Sequence, residues 1–369
     1  MKFTIAKDQL LNGLQAVQNV VGSRTTLPIL SNVLLVASDG RLELTATDLD
    51  VTITCSVEAI VAEPGRTTAP VKKLFGIARE LSASDLAIAV DDKATMTLEA
   101  GGSFYKINGL GADEFPPLPS FAQSRVVQVA QDKLKAMLRK TCFAASTDEA
   151  RYVLNGIFFS LKEHKVTLVA TDGRRLALAD EEADVPMEAQ AEFIVPNKAI
   201  AEVNRLLGSA GMAEIRFSEN QVAFTRTGEG SFPVLIISKL VDGNYPNYRQ
   251  VIPPEAQERI PLPRDEFLSA LRRAELMTSD KSNSVRLSFS RNQLAITANT
   301  PEVGEAREVL AIKYQGRDLA IAFNPAYLLD PLKALDEEEV VFELIDDLSP
   351  GVLKTARPFL YVIMPMRMS

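Results

Sequence analysis

Apolar and polar residues alternate along three stretches of this chain that lie about a third of its length apart, and each alternation runs into a short polar turn and out again. The stretches are LTATDLDVTI (44–53), VATDGRRLA (169–177) and ITANTPEVGEA (296–306). A period of two marks a strand with one face on a core, and a polar break between two such runs marks a hairpin. Each stretch belongs to a longer strand pair: ILSNVLLVASDGRLELTATD (29–48), VLNGIFFSLKEHKVTLVATD (153–172) and SVRLSFSRNQLAITANT (284–300). One unit is used three times.

Helical spacing replaces alternation at six places, two in each third. The first helix of each third follows a short strand and carries Asp8, Asp132 or Asp265 in its first turn, where a carboxylate favours the positive end of the helix dipole and can help cap it. Leu10, Leu14 and Val17, then Leu134 and Leu138, then Phe267 and Leu271 recur at three or four residues as a core stripe. The second helix is announced by Pro70, Pro196 or Pro325, because proline is tolerated in a first helical turn. The predicted windows are 7–21, 70–81, 131–141, 196–208, 264–278 and 325–336, and Pro331 inside the last predicts a bend. Strand, helix, strands, helix and further strands, three times over, predict an α+β protein of three similar domains. Each would pack two helices on antiparallel sheets. Proline-rich linkers at 113–125 and 243–257 put the domains at 1–120, 121–253 and 254–369.

Composition narrows the chemistry more than the fold. With 46% hydrophobic and 24% charged residues in 369, every third can build a core. The opening MKFTIAKDQLLNGL is charged at Lys7 and Asp8 and has no long apolar run, which predicts a cytoplasmic protein without membrane contact. Cys55 and Cys142 lie in apolar segments of different thirds and read as buried free thiols, and His164, the single histidine, reads as part of a hairpin turn. No phosphate loop or dinucleotide fingerprint occurs, and one His with two scattered Cys cannot form a zinc site or a Ser/His/Asp triad. Asp48 with Asp50 and Asp346 with Asp347 are carboxylate pairs, but their turn-like setting favours solvated side chains. The expectation is a protein with no catalytic residues, cofactor or metal.

The net charge of −8 argues against a protein that wraps nucleic acid, yet the six helical windows sum to +5. Lys72, Lys73, Arg79, Lys133, Lys135, Arg139, Lys140, Lys198 and Arg205 supply most of that surplus. No aromatic platform accompanies them, so backbone contact without base reading is the nucleic-acid mode the pattern allows. For any one helix, a solvated amphipathic face explains the same charges.

The segments MKFTI, LPILSN (27–32), RYVLNG (151–156), ATDGRRLA, SKLVDGNYPNYRQVIP and YVIMPMR carry a resemblance to a known family. Over its whole length the chain resembles the bacterial DNA polymerase III β subunits, the sliding clamps. The resemblance implies three clamp-type domains per chain and a head-to-tail homodimer ring with helices lining the hole and sheets outside. Such a ring would encircle and slide on duplex DNA without sequence specificity, as a processivity factor of replication. A duplex about 20 Å across needs about a dozen helices roughly 10 Å wide around it, and two copies of this chain would supply them. The resemblance further implies that an ATP-driven clamp loader opens the ring, and that polymerase III subunits and other proteins carrying a Gln/Leu/Phe motif bind a cleft between the second and third domains.

Carried over by position, the cleft residues are Leu154, Thr171, Gly173, Arg174, Arg175, Leu176, Pro246, Val251, Val362, Met364, Pro365 and Met366, with Arg151, Asn324 and Tyr327 nearby. The implied DNA contacts are Arg24, Lys72, Lys73, Tyr152 and Lys198, and the implied dimer contact sets Phe104 and Tyr105 against Leu276 and Met277. Arg174, Gln250 and Pro350 stand where some members have His, Arg and Ser, which points to a different choice of partner peptide. The competing reading is a non-encircling multidomain scaffold with a peptide groove. Among the three repeated frames, only the middle one carries Gly-Arg-Arg, and that difference marks it as a wall of the cleft.

Overall fold

The computed structural model describes residues 1–22, 27–121, 124–227, 232–280 and 282–367. The first third runs β1 (Lys2–Ala6), α1 (Lys7–Val17), β2 (Asn32–Ser38), β3 (Arg41–Thr47), β4 (Val51–Glu58), β5 (Ile60–Glu63), β6 (Gly65–Pro70), α2 (Val71–Glu80), β7 (Asp85–Val90), β8 (Thr95–Ala100) and β9 (Ser103–Asn108). The second repeats it as β10 (Arg125–Ala130), α3 (Gln131–Thr141), β11 (Gly156–Lys162), β12 (Lys165–Thr171), β13 (Arg175–Glu182), β14 (Ala191–Pro196), α4 (Asn197–Leu206), β15 (Met212–Phe217), β16 (Gln221–Thr227) and β17 (Val234–Lys239). The third runs β18 (Glu258–Pro263), α5 (Arg264–Glu275), β19 (Val285–Ser290), β20 (Gln293–Thr300), β21 (Gly304–Ala311), β22 (Leu319–Phe323), α6 (Pro325–Ala334), β23 (Glu339–Leu344), β24 (Gly351–Lys354) and β25 (Phe359–Ile363). The order is the same three times, with β5 an addition to the first.

Contacts divide the chain differently from this repeat. One compact unit holds residues 1–135 and 198–240, the other 136–197 and 241–369, so the central third contributes to both. In the first unit, β5-β1-β7-β8-β9 form one sheet and β10-β15-β16-β17-β4-β3-β2-β6 another. In the second, β14-β11-β12-β13-β25-β24-β23-β18 and β21-β20-β19-β22 play the same parts. Each eight-stranded sheet is therefore four strands of one third joined to four of the next, through β17 on β4 (Val234↔Cys55 to Ser238↔Val51) and β25 on β13 (Arg175↔Ile363 to Ala179↔Phe359).

The helices bury the predicted stripes. Leu10, Leu14 and Val17 of α1 are fully covered, and Gly13 lies so close to the sheet that an added Cβ would meet a Leu44 methyl at 2.8 Å. Phe267 and Leu271 of α5 are likewise covered, in a unit whose core also holds the rings of Phe289, Phe323 and Phe342. Asp8 and Asp265 sit in the first turns of α1 and α5, where they favour the positive end of the helix dipole, and Asp265 also pairs with Arg264 at 2.9 Å. Asn324 does cap α6, accepting the Ala326 N–H at 3.0 Å, and Pro331 lies within that helix. Glu163 and His164 both adopt positive φ between Lys162 and Lys165, the two-residue turn that matches strand twist. Cys55 is buried, which pushes its thiol up to about 12, while Cys142 is only partly covered, and both are free.

Candidate functional site

The turn between β12 and β13 is held by two side chains that act as substitute backbone. Thr171 Oγ1 accepts the Gly173 N–H at 3.1 Å and donates to the Arg175 carbonyl at 2.6 Å. Asp172 Oδ1 accepts the N–H groups of Arg174 and Arg175 at 2.9 and 3.1 Å. This Thr-Asp pair fixes a tight turn of the kind Asx residues favour. It forces the third position to a φ of +86°, which Gly173 adopts without cost, and a Cβ there would lie 2.9 Å from Arg151 Nη1.

The two adjacent arginines have separate fates. Arg175 points inward: its side chain is 10% exposed, Nε reaches Asp172 Oδ2 at 3.0 Å, Nη1 reaches Asp330 Oδ2 at 2.6 Å and Nη2 donates to the Phe143 carbonyl at 2.7 Å. Its guanidinium also lies over the Tyr327 ring, 4.4 Å from the centroid. Burial opposes the charge, but the bond to Asp330 and the two carboxylates outweigh it and raise the pKa. Arg175 is a strut between the hairpin and α6, and of the Gly-Arg-Arg run Gly173 and Arg174 are the exposed residues. Arg174 is exposed, and its carbonyl accepts the Met364 N–H at 3.0 Å.

Beneath this turn lies an apolar floor of Phe158, Val169, Leu176, Ile194, Val352 and Val362, all buried. Tyr245 stacks on Phe158 with centroids 4.9 Å apart, and Tyr248 approaches the same ring at 5.9 Å. Burial pushes the Tyr245 phenol up. Val153 and Ile252 pack on the floor, beside Leu154 and Val251, and Val251 is 48% exposed. Pro246, between the two tyrosines in the chain, is exposed. On the far side the C-terminal segment is anchored rather than frayed, because Met366 N–H donates to the Ala322 carbonyl at 2.8 Å. Met364 and Met366 nevertheless keep 45% and 39% of their surface, with Pro365 between them, just past β25, whose Tyr361 is buried and donates to the Tyr327 carbonyl at 2.7 Å. Every residue implied for the cleft is thus in this unit. Asp330 and the Phe158–Tyr245 stack are central to it and carry no signal of that role in the sequence, where the YPNY run marks only an extended linker.

Most of the basic helix residues are engaged within the protein. Arg79 pairs with Glu80, Arg139 with Asp336, and Lys140 with Glu337 at 3.0 Å with both side chains nearly buried. Lys135 donates to the Leu207 carbonyl, and Arg205 to Glu202 and to the carbonyls of Gln15 and Ala16. Lys198 pairs with Asp48. Lys72 and Lys73 are exposed on α2 with no carboxylate partner among the described residues. Tyr152 is 59% exposed and lies beside Gly243, near the cleft segment, and Arg24 lies outside the described residues. Phe104 and Tyr105 are exposed on β9, the edge of its sheet, Leu276 is exposed, and Met277 adjoins Gly304 at the start of the edge strand β21.

A triplicated α+β chain whose antiparallel sheets run on from one third into the next, with an apolar cluster at the second join, defines a clamp-type architecture. The chain belongs to the DNA polymerase III β subunit family: the descriptions of its N-terminal, central and C-terminal domains match residues 1–119, 128–247 and 249–367. A beta sliding clamp of Chlamydia muridarum is 35% identical over all of this chain and 99% of its own length, and that of Escherichia coli K12 is 36% identical over the whole of both. The crystal structure of a Pseudomonas aeruginosa DnaN sliding clamp bound to griselimycin superposes with a TM-score of 0.94 over 100% of both chains at 36% identity. The chain is accordingly a processivity clamp of DNA replication.

Proposed function

We propose that two copies of this chain close head to tail into a ring that encircles duplex DNA, and that the apolar cleft tethers replication and repair proteins to it. The observation that carries the ring is a pattern of open edges. At each join, the last strand of one third pairs with the strand after the Thr-Asp or equivalent turn of the third before it, β17 with β4 and β25 with β13. The last strand of the first third, β9, and the matching strand of the last third, β21, are both sheet edges. Pairing β9 of one copy with β21 of another repeats the rule twice and leaves no such edge open, which is a heterologous contact that closes by rotation. Phe104 and Tyr105 then meet the region of Leu276 and Met277.

Topology supplies the mechanism. A closed ring stays on DNA however weak each phosphate contact is, and many strong contacts would brake it. Internal pairing of most helix cations suits that task, leaving Lys72 and Lys73 exposed without a carboxylate partner among the described residues, with Arg24, Tyr152 and Lys198 completing the implied set. No bond is made or broken, so no catalytic group is needed, and loading belongs to a separate ATP-driven loader. The cleft offers flexible methionines over an apolar floor, a surface that repacks around a Gln-Leu-x-Leu-Phe peptide of polymerase III subunits, the loader or other partners. The setting is the cytoplasm.

Light scattering should give twice 40.3 kDa, and the protein should stay on circular DNA and slide off it after linearisation. A monomer released equally from both would establish the non-encircling scaffold instead. Met364→Ala and Gly173→Glu should each abolish binding of the peptide while leaving the dimer intact; wild-type affinity in both would remove the cleft from the proposal.

A further inference from the structure

Resting on the ring reading, the two joins inside the chain supply the register of the join between copies. Each third ends alike: its exit segment returns to the strand before its second helix, Leu110 at Thr68, Val241 at Ile194 and Met366 at Ala322. Lys106, Ile237 and Val362 stand four residues before those points. In the repeated frame, Thr47, Thr171 and Asn299 each follow an alanine and face Thr52, Leu176 and Glu305 across the hairpin. Inside the chain the two sets meet, since Ile237 pairs with Thr52 and Val362 with Leu176. The same rule between copies sets Lys106 of one against Glu305 of the other.

That register carries two further pairs. Tyr105 faces Ala306 in the place of the buried pairs Ile236–Ile53 and Tyr361–Ala177, which gives a burial site to an aromatic side chain left 37% exposed on a sheet edge. Phe104 faces Arg307, where Leu235 faces Thr54 and Leu360 faces Leu178. Lys106, Glu305 and Arg307 are exposed and form no ion pair among the described residues, whereas Glu308 beside them is held by Arg273. The strand face that presents threonines on β4 and leucines on β13 thus presents unpaired charges on the two open edges. Opposite charges directly across an antiparallel pair stabilise it, and like charges disrupt it. We infer that Lys106 and Glu305 are the pair by which one copy selects the next, setting the register of β9 on β21 and rejecting an edge that offers like charge.

The test measures self-association of the full-length protein by sedimentation, with circular dichroism to verify folding. Lys106→Glu and Glu305→Lys should each stay folded, because both side chains are exposed, and each should weaken the dimer by about tenfold or more, since like charges then meet at both contacts of the ring. An equimolar mixture of the two variants should associate within about threefold of wild type, because both contacts of the mixed dimer set a glutamate against a lysine. The double variant Lys106→Glu/Glu305→Lys should recover in the same way. Wild-type association of either single variant, or folded single variants that stay apart when mixed, would overturn the pairing. A wild-type protein that is itself monomeric would instead overturn the ring, and the pairing with it.

Discussion

Where β4 meets β17, Thr47, Asp48 and Leu49 make the turn that Thr171, Asp172 and Gly173 make where β13 meets β25. Thr47 Oγ1 accepts the Leu49 N–H and donates to the Val51 carbonyl, and Asp48 Oδ1 accepts the N–H groups of Asp50 and Val51. The Lys239 N–H reaches the Asp50 carbonyl at 3.0 Å, as the Met364 N–H reaches that of Arg174. What differs is the side chains placed on this frame. At the first join, Thr45 bonds Thr54 and Thr47 bonds Thr52, and Asp48 and Asp50 pair with Lys198 and Lys239. At the second, Val169 and Leu178 take the places of Thr45 and Thr54 in the register, Leu176 takes that of Thr52, and Met364 that of Lys239. Polar groups satisfied by one another offer a partner nothing, whereas exposed thioethers over an apolar floor gain by being covered. One backbone thus carries a self-satisfied polar set in one place and an exposed apolar surface in the other.

The largest way to break this comparison is Arg175→Ala, since the matching residue of the first join is Val51 and no strut exists there. Removal leaves Asp172 and Asp330 without their shared cation, and should cost about 3 kcal/mol in urea unfolding, with Arg175→Lys recovering only part because one ammonium cannot serve three acceptors. Next is acid. Glu337 and Asp336 have lowered pKa values: for Glu337, burial works against the charge but the Lys140 ammonium and nearby amides outweigh it, and for Asp336 the Arg139 hydrogen bond dominates. A lowered folded pKa gives stability that is full above the unfolded value and disappears as pH falls through the folded one. The difference in unfolding temperature between wild type and Arg139→Met/Lys140→Met should therefore be largest near neutral pH and narrow as pH drops below the ordinary 4.5 and 3.8 of these carboxyls. Arg205→Met, whose lost partners include two carbonyls at the end of α1, should keep more of its difference in acid. The smallest effect sharpens the comparison: Leu49 holds a φ of +80° where the second join has glycine, and Leu49→Gly should stabilise by about 0.5 kcal/mol, relief of strain exceeding the entropy glycine adds to the unfolded chain.

Helices and hairpins are legible in this sequence because both are local: a stripe at Leu10, Leu14 and Val17, or alternation broken by a turn, is contained in a dozen residues. The joins are not, since nothing in the alternation of β13 says that its second neighbour is β25. The charge count fails for the same reason. Arg139 looks free in its own helix, but Asp336, which holds it, lies 197 residues away. Arg174 and Arg175 are chemically identical in the sequence, and only the position of Asp330 and Tyr327 turns one inward. Resemblance to the clamp family singles out Leu176 and Val362 of the apolar cluster, whereas Phe158 carries no mark of its own and Tyr245 sits in a run that reads only as an extended linker.

Sheets shared between thirds also set a timetable for synthesis. The first eight-stranded sheet is complete once β17 has emerged, at Lys239, but β13, made by Glu182, waits for β25 at Phe359–Ile363. For about half of translation its edge is a bare row of amide and carbonyl groups, the kind of edge that invites pairing with another chain. A ribosome stalled beyond residue 240 would thus release a finished first sheet attached to an unfinished second one.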